Sequence, residues 1–306
     1  MLNLQRLIVL HELERRGSLA AVAQSLNYSP SAVSQQLATL EREVGTALTE
    51  PIGRGVRLTD AARILVEHTR VAIAAIESAE AALAASVGAV AGSLHIASLQ
   101  TALLSLLPAV LQTLEREHPE LHVDVSQRDV SEAVSGLLAG TFDVVVGEEY
   151  PGGSLPSHAG LHRRDLGADE MLLAVPSSGP WSAVHSLSEV ATAPWALDPA
   201  NSAPGRWARA TCRDSGFEPD VRFDGVDLLV HLQMVRAGRA VSLVPSLLRA
   251  EWAHGVRLVE LRGAPSRRLF TLTRSARVSH PAVNAFRDAL ATAFDAQQSL
   301  AAGRAR

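Results

Sequence analysis

The sequence has no lysine: all 28 of its basic residues are arginine. That excludes Schiff-base catalysis, a pyridoxal anchor and a phosphate-loop lysine. A GC-rich coding sequence explains the bias. Arginine is also the better bidentate partner for phosphates and guanine edges. Cys212 is the single cysteine, so no intrachain disulfide can form, and an inert thiol is expected. No apolar run approaches the ~20 residues that span a bilayer. The N-terminus lacks the charged start, apolar core and cleavage site of a signal peptide. A cytoplasmic protein without membrane contact is the expectation. Enzyme signatures are missing too: no Gly-x-Ser-x-Gly elbow, dinucleotide glycine loop, paired cysteines or His-Glu-x-x-His. His158 and His162 are four apart, but Gly160 between them argues for a loop with two solvated histidines. No catalytic residue, metal or cofactor is expected.

What is present begins with the first 60 residues. Leu4, Leu7, Ile8 and His11 give an amphipathic helix that ends near Gly17. Ser18 caps a second helix with Leu19, Val22, Ala23 and Leu26 inside. Asn27 and Tyr28 make a turn. Ser29 caps a third helix, and Pro30 takes its first position, where a missing N–H costs nothing. Val33, Leu37, Leu40 and Val44 form its buried stripe, while Ser31, Ala32, Ser34, Gln35 and Thr39 face outward. Two helices joined by a tight turn, the second with small polar side chains, suit the major groove of DNA. Gly53 to Leu58 then reads as a small hairpin, or wing.

The net charge of the chain is −4, and residues 1–60 hold six arginines against six acids. DNA affinity must therefore come from locally placed groups rather than from a basic domain. From Thr59 and Asp60 a helix runs without Gly or Pro to Gly88. At 1.5 Å per residue it spans roughly 43 Å. Leu65, Ala72 and Ala79 recur every seven residues, followed by Thr69, Ile76 and Leu83. That seam suits close packing against a second copy of itself; packing on the C-terminal domain is the alternative.

Past Gly88–Gly92 the pattern becomes alternating strands and helices, which indicates an open, mainly parallel α/β sheet. Strands are expected at Leu94–Ser98, Leu121–Ser126, Phe142–Gly147, Met171–Val175, Trp195–Leu197, Val221–Phe223, Ala240–Val244, Val256–Leu261 and Leu269–Thr273. One helix is expected through Leu103 to Leu114, with others at Val130–Leu138, Arg206–Ser215, Asp227–Ala237 and Pro281–Gln297. The break near 152–164 and the late strand at 269 suggest two lobes. The expected division is a DNA-binding domain at 1–58 and a linker helix at 59–88, then an α/β domain at 92–300. Lobe I of that domain is 92–162 with 268–300, and lobe II is 163–267.

The chain resembles LysR-type transcriptional regulators over nearly its full length. The residues that carry this are Ser18-Leu-Ala-Ala-Val-Ala, Ser31-Ala-Val-Ser-Gln-Gln-Leu, Leu40-Glu-Arg-Glu-Val-Gly and Gly55-Val-Arg-Leu-Thr. Glu115-Arg-Glu-His-Pro, Gly140-Thr-Phe-Asp-Val-Val-Val-Gly and Val235-Arg-Ala-Gly-Arg-Ala-Val-Ser-Leu-Val-Pro support it. The resemblance implies a winged helix-turn-helix, a dimerising linker helix and an effector domain similar to periplasmic solute-binding proteins. It also implies a homodimer or homotetramer on double-stranded promoter DNA, with a small-molecule effector re-angling the DNA-binding domains. The chain departs from the family at Leu48-Thr49-Glu50-Pro51, where Leu-Phe-Glu-Arg is usual, and at Ala62, where glycine is common.

On this reading Ser29, Ser31, Ala32, Ser34, Gln35, Gln36, Arg54 and Arg57 are the candidate DNA contacts. Gln can bond adenine's N6 and N7 together, and Ala32 can meet a thymine methyl. For Gln36 the alternative is a solvated position facing away from the groove; for Arg57 it is an ion pair with Asp60 or Glu50. Ligands in open α/β sheets sit beyond the strand carboxyl ends. That selects Ser98, Leu99, Gln100, Thr101, Arg128, Gly147, Glu148, Asn201, Ser202, Val226 and Asp227 for the effector. Plain helix capping is the alternative for Ser98, Thr101 and Asp227. Arg128 would anchor an anion, whereas Glu148, Glu149 and Asp227 would favour an amine, so an amino acid and a small organic acid both fit. A competing function is a solute-binding or enzymatic α/β protein whose N-terminal helices serve only oligomerisation. Such an arm needs no Ser-Pro-capped polar helix followed by an arginine wing.

Overall fold

A computed structural model describes residues 2–53, 55–88, 90–153, 158–248 and 252–304. The chain forms two compact units, Met1–Leu83 and Ala84–Arg306. Among the described residues no helix is long and apolar enough to cross a membrane.

The first unit contains α1 (Leu4–Arg16), α2 (Leu19–Ser25), α3 (Pro30–Val44), the hairpin β1 (Thr49–Ile52) and β2 (Gly55–Leu58), and the start of α4 (Asp60–Val87). Local chemistry fixes each helix start. The side chains of Asn3, Ser18 and Ser29 accept first-turn N–H groups of α1, α2 and α3. Asn27 adopts φ 54° between α2 and α3, a left-handed conformation that Asn tolerates better than most residues. Leu10, Val22, Val33 and Leu40 are fully buried in the core that joins these three helices, and Ala62 and Val66 of α4 close it. Each such Val or Leu contributes about 1.5–3 kcal/mol. The methyl of Ala62 thus fills space that a glycine would leave empty. Of the expected heptad seam, Leu65 packs on this core and Thr69 is buried. Ile76 and Leu83 stay 41% and 67% exposed.

The second unit runs β3 (Gly92–Ser98), α5 (Gln100–Ser105), α6 (Leu107–Glu117), β4 (Leu121–Gln127), α7 (Val130–Leu138), β5 (Val144–Glu149) and β6 (Leu161–Pro176). It continues with β7 (Pro194–Leu197), α8 (Ala203–Asp214), β8 (Asp220–Asp224), α9 (Leu228–Arg236) and β9 (Ser242–Pro245). The last elements are β10 (Val256–Glu260), β11 (Ser266–Arg274) and α10 (Pro281–Arg304). The main sheet has the order β10-β6-β11-β5-β3-β4, with β9 also on β6.

Two sequence expectations change. The sheet is mixed rather than mainly parallel. In it β3–β4 and β3–β5 run parallel, as do β7–β8 in a separate two-stranded sheet; β6 pairs antiparallel with β9, β10 and β11, and β11 with β5. The reason is the double crossing between lobes: β6 carries the chain out, β11 returns it, and the two lie side by side. β6 therefore starts ten residues before the expected Met171; its first half is masked in the sequence by Arg163, Arg164 and Asp165. The single helix expected at 103–114 is also two, because Pro108 in the first turn of α6 lacks the N–H that would continue the ladder.

One core of this unit sets α6 and α10 against the sheet through Leu94, Ile96, Val110, Phe286 and Leu290. A second core is built around Trp195, Leu173, Val241 and Trp207.

Candidate DNA-binding and effector sites

In α3 the residues Ser31, Ser34 and Gln35 are exposed on the side opposite Val33, Leu37 and Leu40. Ser29 Oγ accepts the Ala32 N–H at 3.2 Å and lies 2.9 Å from Ser31 Oγ. Its hydroxyl is thus committed to the cap, and Ala32 is half-buried behind it. Gln36 is not the solvated side chain of the alternative: it is half-buried and its Oε1 accepts Arg6 Nε at 3.2 Å. The wing hangs on Glu41, whose Oε1 accepts Leu48 N (2.8 Å), Thr49 N (3.0 Å) and Thr49 Oγ1 (3.1 Å). That carboxylate secures the strand where the family's aromatic is missing, and Leu48 is buried beneath it. Arg57 pairs with Glu50 across the hairpin at 2.7 Å, which is the ion-pair alternative. Arg54 lies outside the described residues.

The effector-unit candidates separate into three groups. Gln100, at the start of α5, reaches across the sheet end to α9: Nε2 donates to Asp227 Oδ1 at 2.8 Å, and Oε1 accepts Leu228 N at 3.0 Å. Asp227 also caps α9 through Leu229 N, and the Gln100 bond holds its carboxyl below the usual range. Thr101 and Glu148 meet at a residue that the sequence did not single out, Arg267 on β11. The remaining candidates lie apart from these two networks. Leu99 joins the lobe I core. Gly147 gives room to Phe270, whose ring would lie 2.6 Å from an added Cβ. Arg128 is drawn aside to Glu132 at 2.9 Å. Ser98 is buried, and Ser202 caps α8 through Gly205 N at 3.1 Å. The Asn201 carbonyl accepts from Arg206, and Val226 is exposed.

Arg267 is 1% exposed. Its Nη2 donates to Thr101 Oγ1 and to Asp169 Oδ2, both at 2.7 Å, and its Nη1 pairs with Glu148. Asp169, beside it in the β6–β11 register, accepts Ser246 Oγ (2.7 Å) and Leu247 N (3.1 Å) beyond β9. Burial opposes the arginine's charge, but Glu148 and Asp169 outweigh it and raise its pKa. One guanidinium thus ties lobe I, both crossing strands and lobe II.

Beside this network, burial and then the charge of Glu148 push the Asp198 carboxyl up to about 7. Tyr150 is raised for the same two reasons, and its ring lies 5.6 Å from that of Trp207. Arg267 and Asp169 carried little sequence signal, because each falls two residues outside the strands expected at Leu269–Thr273 and Met171–Val175. Asp198 and Tyr150 carried no local signal.

Residues 4–63 match the model for the bacterial regulatory helix-turn-helix protein, lysR family, and residues 88–295 match the LysR substrate binding domain. The chain belongs to the LysR family of transcriptional regulators. The HTH-type transcriptional regulator TcbR of Pseudomonas sp. (strain P51) is 28% identical over 238 residues, 76% of this chain and 79% of TcbR. A full-length OxyR point variant from Pseudomonas aeruginosa superposes with a TM-score of 0.70 at 17% identity, covering 95% of both chains. Full-length CbnR complexed with its target DNA has a TM-score of 0.54 at 24% identity, covering 96% of this chain and all of that one. These two structures show the shared fold. The LysR-type chain is thus a DNA-binding regulator with an effector-binding domain. Cysteine-based sensing has no support here: Cys212 is buried in α8 and its thiol is pushed up to about 12, first by burial, whereas oxidation needs an exposed thiolate. His158 is exposed, and His162 Nδ1 lies 3.2 Å from Arg287 Nη1; among the described residues no group of three or more His, Cys, Asp or Glu is placed to hold a metal.

Proposed function

We propose that the chain reads double-stranded promoter DNA with the outer face of α3, and that a small effector in the interlobe cleft modulates that binding or the bend it imposes. The working division is residues 1–58 for DNA, 59–88 for self-association, and 92–300 for the effector. Lobes I and II meet along β6 and β11. The exposed Ile76 and Leu83 on α4 support pairing with a second copy in a homodimer or homotetramer. The cytoplasm is the compartment where such a regulator acts.

One observation carries the effector reading: the cleft residues are wired across the lobes, by Gln100 to α9 and by Arg267 to Thr101, Glu148 and Asp169. A ligand that engages them acts on both lobes at once. Of the two effector classes, the cleft chemistry favours one with an amino group, such as an amino acid. Its buried guanidinium is already consumed by Glu148, Asp169 and Thr101. Asp198, by contrast, takes Arg209 only on its backbone carbonyl, at 2.7 Å, and its carboxyl sits in the field of Glu148, which Arg267 and Arg209 only partly offset.

The test is a thermal-shift screen of amino acids and small carboxylates, because a ligand of the native state raises stability by mass action. A hit is then titrated into a DNA-binding assay. The reading predicts that amine-bearing hits shift the melting temperature and change DNA affinity or mobility. Hits that stabilise the protein yet leave DNA binding untouched would sink it.

A further inference from the structure

Among the described residues, the arginines of the first unit are nearly all paired internally. Arg6 pairs with Glu43, Arg15 and Arg16 with Glu12, Arg57 with Glu50, Arg63 with Asp60, and Arg70 with Glu14 and Glu67. Arg42 is different. Among the described residues of this unit it is the arginine that no carboxylate meets. Its Nε donates to Ala38 O at 3.3 Å and its Nη2 to Thr39 Oγ1 at 2.8 Å, which lays the side chain along α3. The rest of its N–H groups have no described partner.

Position adds to charge. Ser31, Gln35, Ala38 and Arg42 recur at intervals of four, three and four, so they form one stripe of α3. The stripe lies opposite Val33, Leu37 and Leu40, and Arg42 is exposed. From Ser31 to Arg42 it runs about 16 Å. The major groove is only about 12 Å wide. With Gln35 over the base edges, the far end of the stripe arrives at the sugar–phosphate backbone.

We propose that Arg42 is the principal phosphate anchor of the DNA-binding unit, a sequence-independent contact at the C-terminal end of α3. The wing's Arg57 is secondary to it, because a phosphate must first take that guanidinium from Glu50. This inference rests on α3 being the helix that faces DNA.

The experiment uses the full chain and a duplex of about 30 base pairs, selected from a random pool by the wild-type protein. Affinity is measured by fluorescence anisotropy across a salt series for wild type, Arg42→Gln, Arg57→Gln and Gln35→Ala. Each lost phosphate contact flattens the slope of log K against log[salt] by about 0.9. Arg42→Gln is expected to flatten it by that amount for each DNA-binding unit engaged, with the same fractional loss on matched and mismatched duplexes. Arg57→Gln should flatten it less, and Gln35→Ala should keep the slope while changing base preference. A wild-type slope in Arg42→Gln, or a loss confined to one base pair, overturns the proposal. A slope change larger in Arg57→Gln does so as well. If no variant changes affinity or preference while wild type binds, the assignment of α3 itself fails, which is a separate result. Arg42 is exposed, so folding is checked simply by the unchanged helical circular dichroism.

Discussion

Asp198 offers a sharp quantitative test of the cleft. Its carboxyl moves from 3.8 to about 7, because burial and the neighbouring Glu148 both disfavour its charge while Arg267 and Arg209 only partly offset them. The folded value lies above the unfolded one. Between about pH 4 and pH 7 the folded state therefore holds a proton that the unfolded state has released. Stability from this group is complete below pH 4, falls as pH rises, and is lost above pH 7. The shift corresponds to about 4 kcal/mol. Asp198→Asn carries no charge at any pH and nearly the same shape. Relative to wild type it should be neutral at pH 4 and more stable by up to about 4 kcal/mol at pH 8. Urea unfolding followed by tryptophan fluorescence is the assay, since all four tryptophans (181, 195, 207 and 252) belong to the effector unit. Taking the difference between the two proteins cancels the titration of histidines and other acids. Parallel stability curves from pH 4 to pH 8 would refute the buried-carboxyl reasoning. The same charge bears on function: an effector's ammonium group would restore the anion, so Asp198→Asn should also weaken binding of amine-bearing effectors.

Arg267→Met removes the cation and leaves Glu148 and Asp169 facing each other unpaired; a cost of about 3–5 kcal/mol is expected, read by the same urea assay, and a change under 1 kcal/mol would contradict the network. Gly205→Ala, at the start of α8, places a Cβ 2.0 Å from Pro199 O and 2.5 Å from Asp198 O. Both are backbone atoms, so α8 must shift away from the cleft loop. A loss of about 1–3 kcal/mol is expected, together with altered titration of Asp198. An unchanged melting temperature would show that the loop yields without strain.

The first unit was legible because its determinants are local. A cap acts across three residues and a buried stripe across four, so Ser18, Ser29, Pro30 and the Val33–Leu40 stripe could be read directly from spacing. Charge was legible only as a total. Six arginines against six acids said that the unit is neutral, but not that Glu43, Glu12 and Glu50 would each claim an arginine and leave Arg42 over. Ion pairs such as Arg6–Glu43 and Arg70–Glu14 join residues 37 and 56 positions apart, beyond any local pattern.

In the effector unit the same limit had functional consequences. The strand-end rule selected Gln100, Thr101, Glu148 and Asp227, which the structure draws into the networks around Asp227 and Arg267. It also selected Leu99, Gly147 and Arg128, whose surroundings are the hydrophobic core, the close approach of Phe270 and a pair with Glu132. It did not select Arg267 and Asp169, which lie at the start of β11 and within β6 rather than beyond a strand's carboxyl end. Arg267 meets partners 98, 119 and 166 residues away. Their role follows from the antiparallel run of β6 beside β11. That pairing places a cation and an anion side by side where both lobes reach them, and burial then makes each indispensable to the other. A parallel sheet of the kind expected would have separated those residues, and the cleft would have lacked its central charge. The mistaken strand direction and the overlooked arginine are therefore one error. Both arise because the chain passes twice between the two cores of this unit, and no local pattern in the sequence records that second passage.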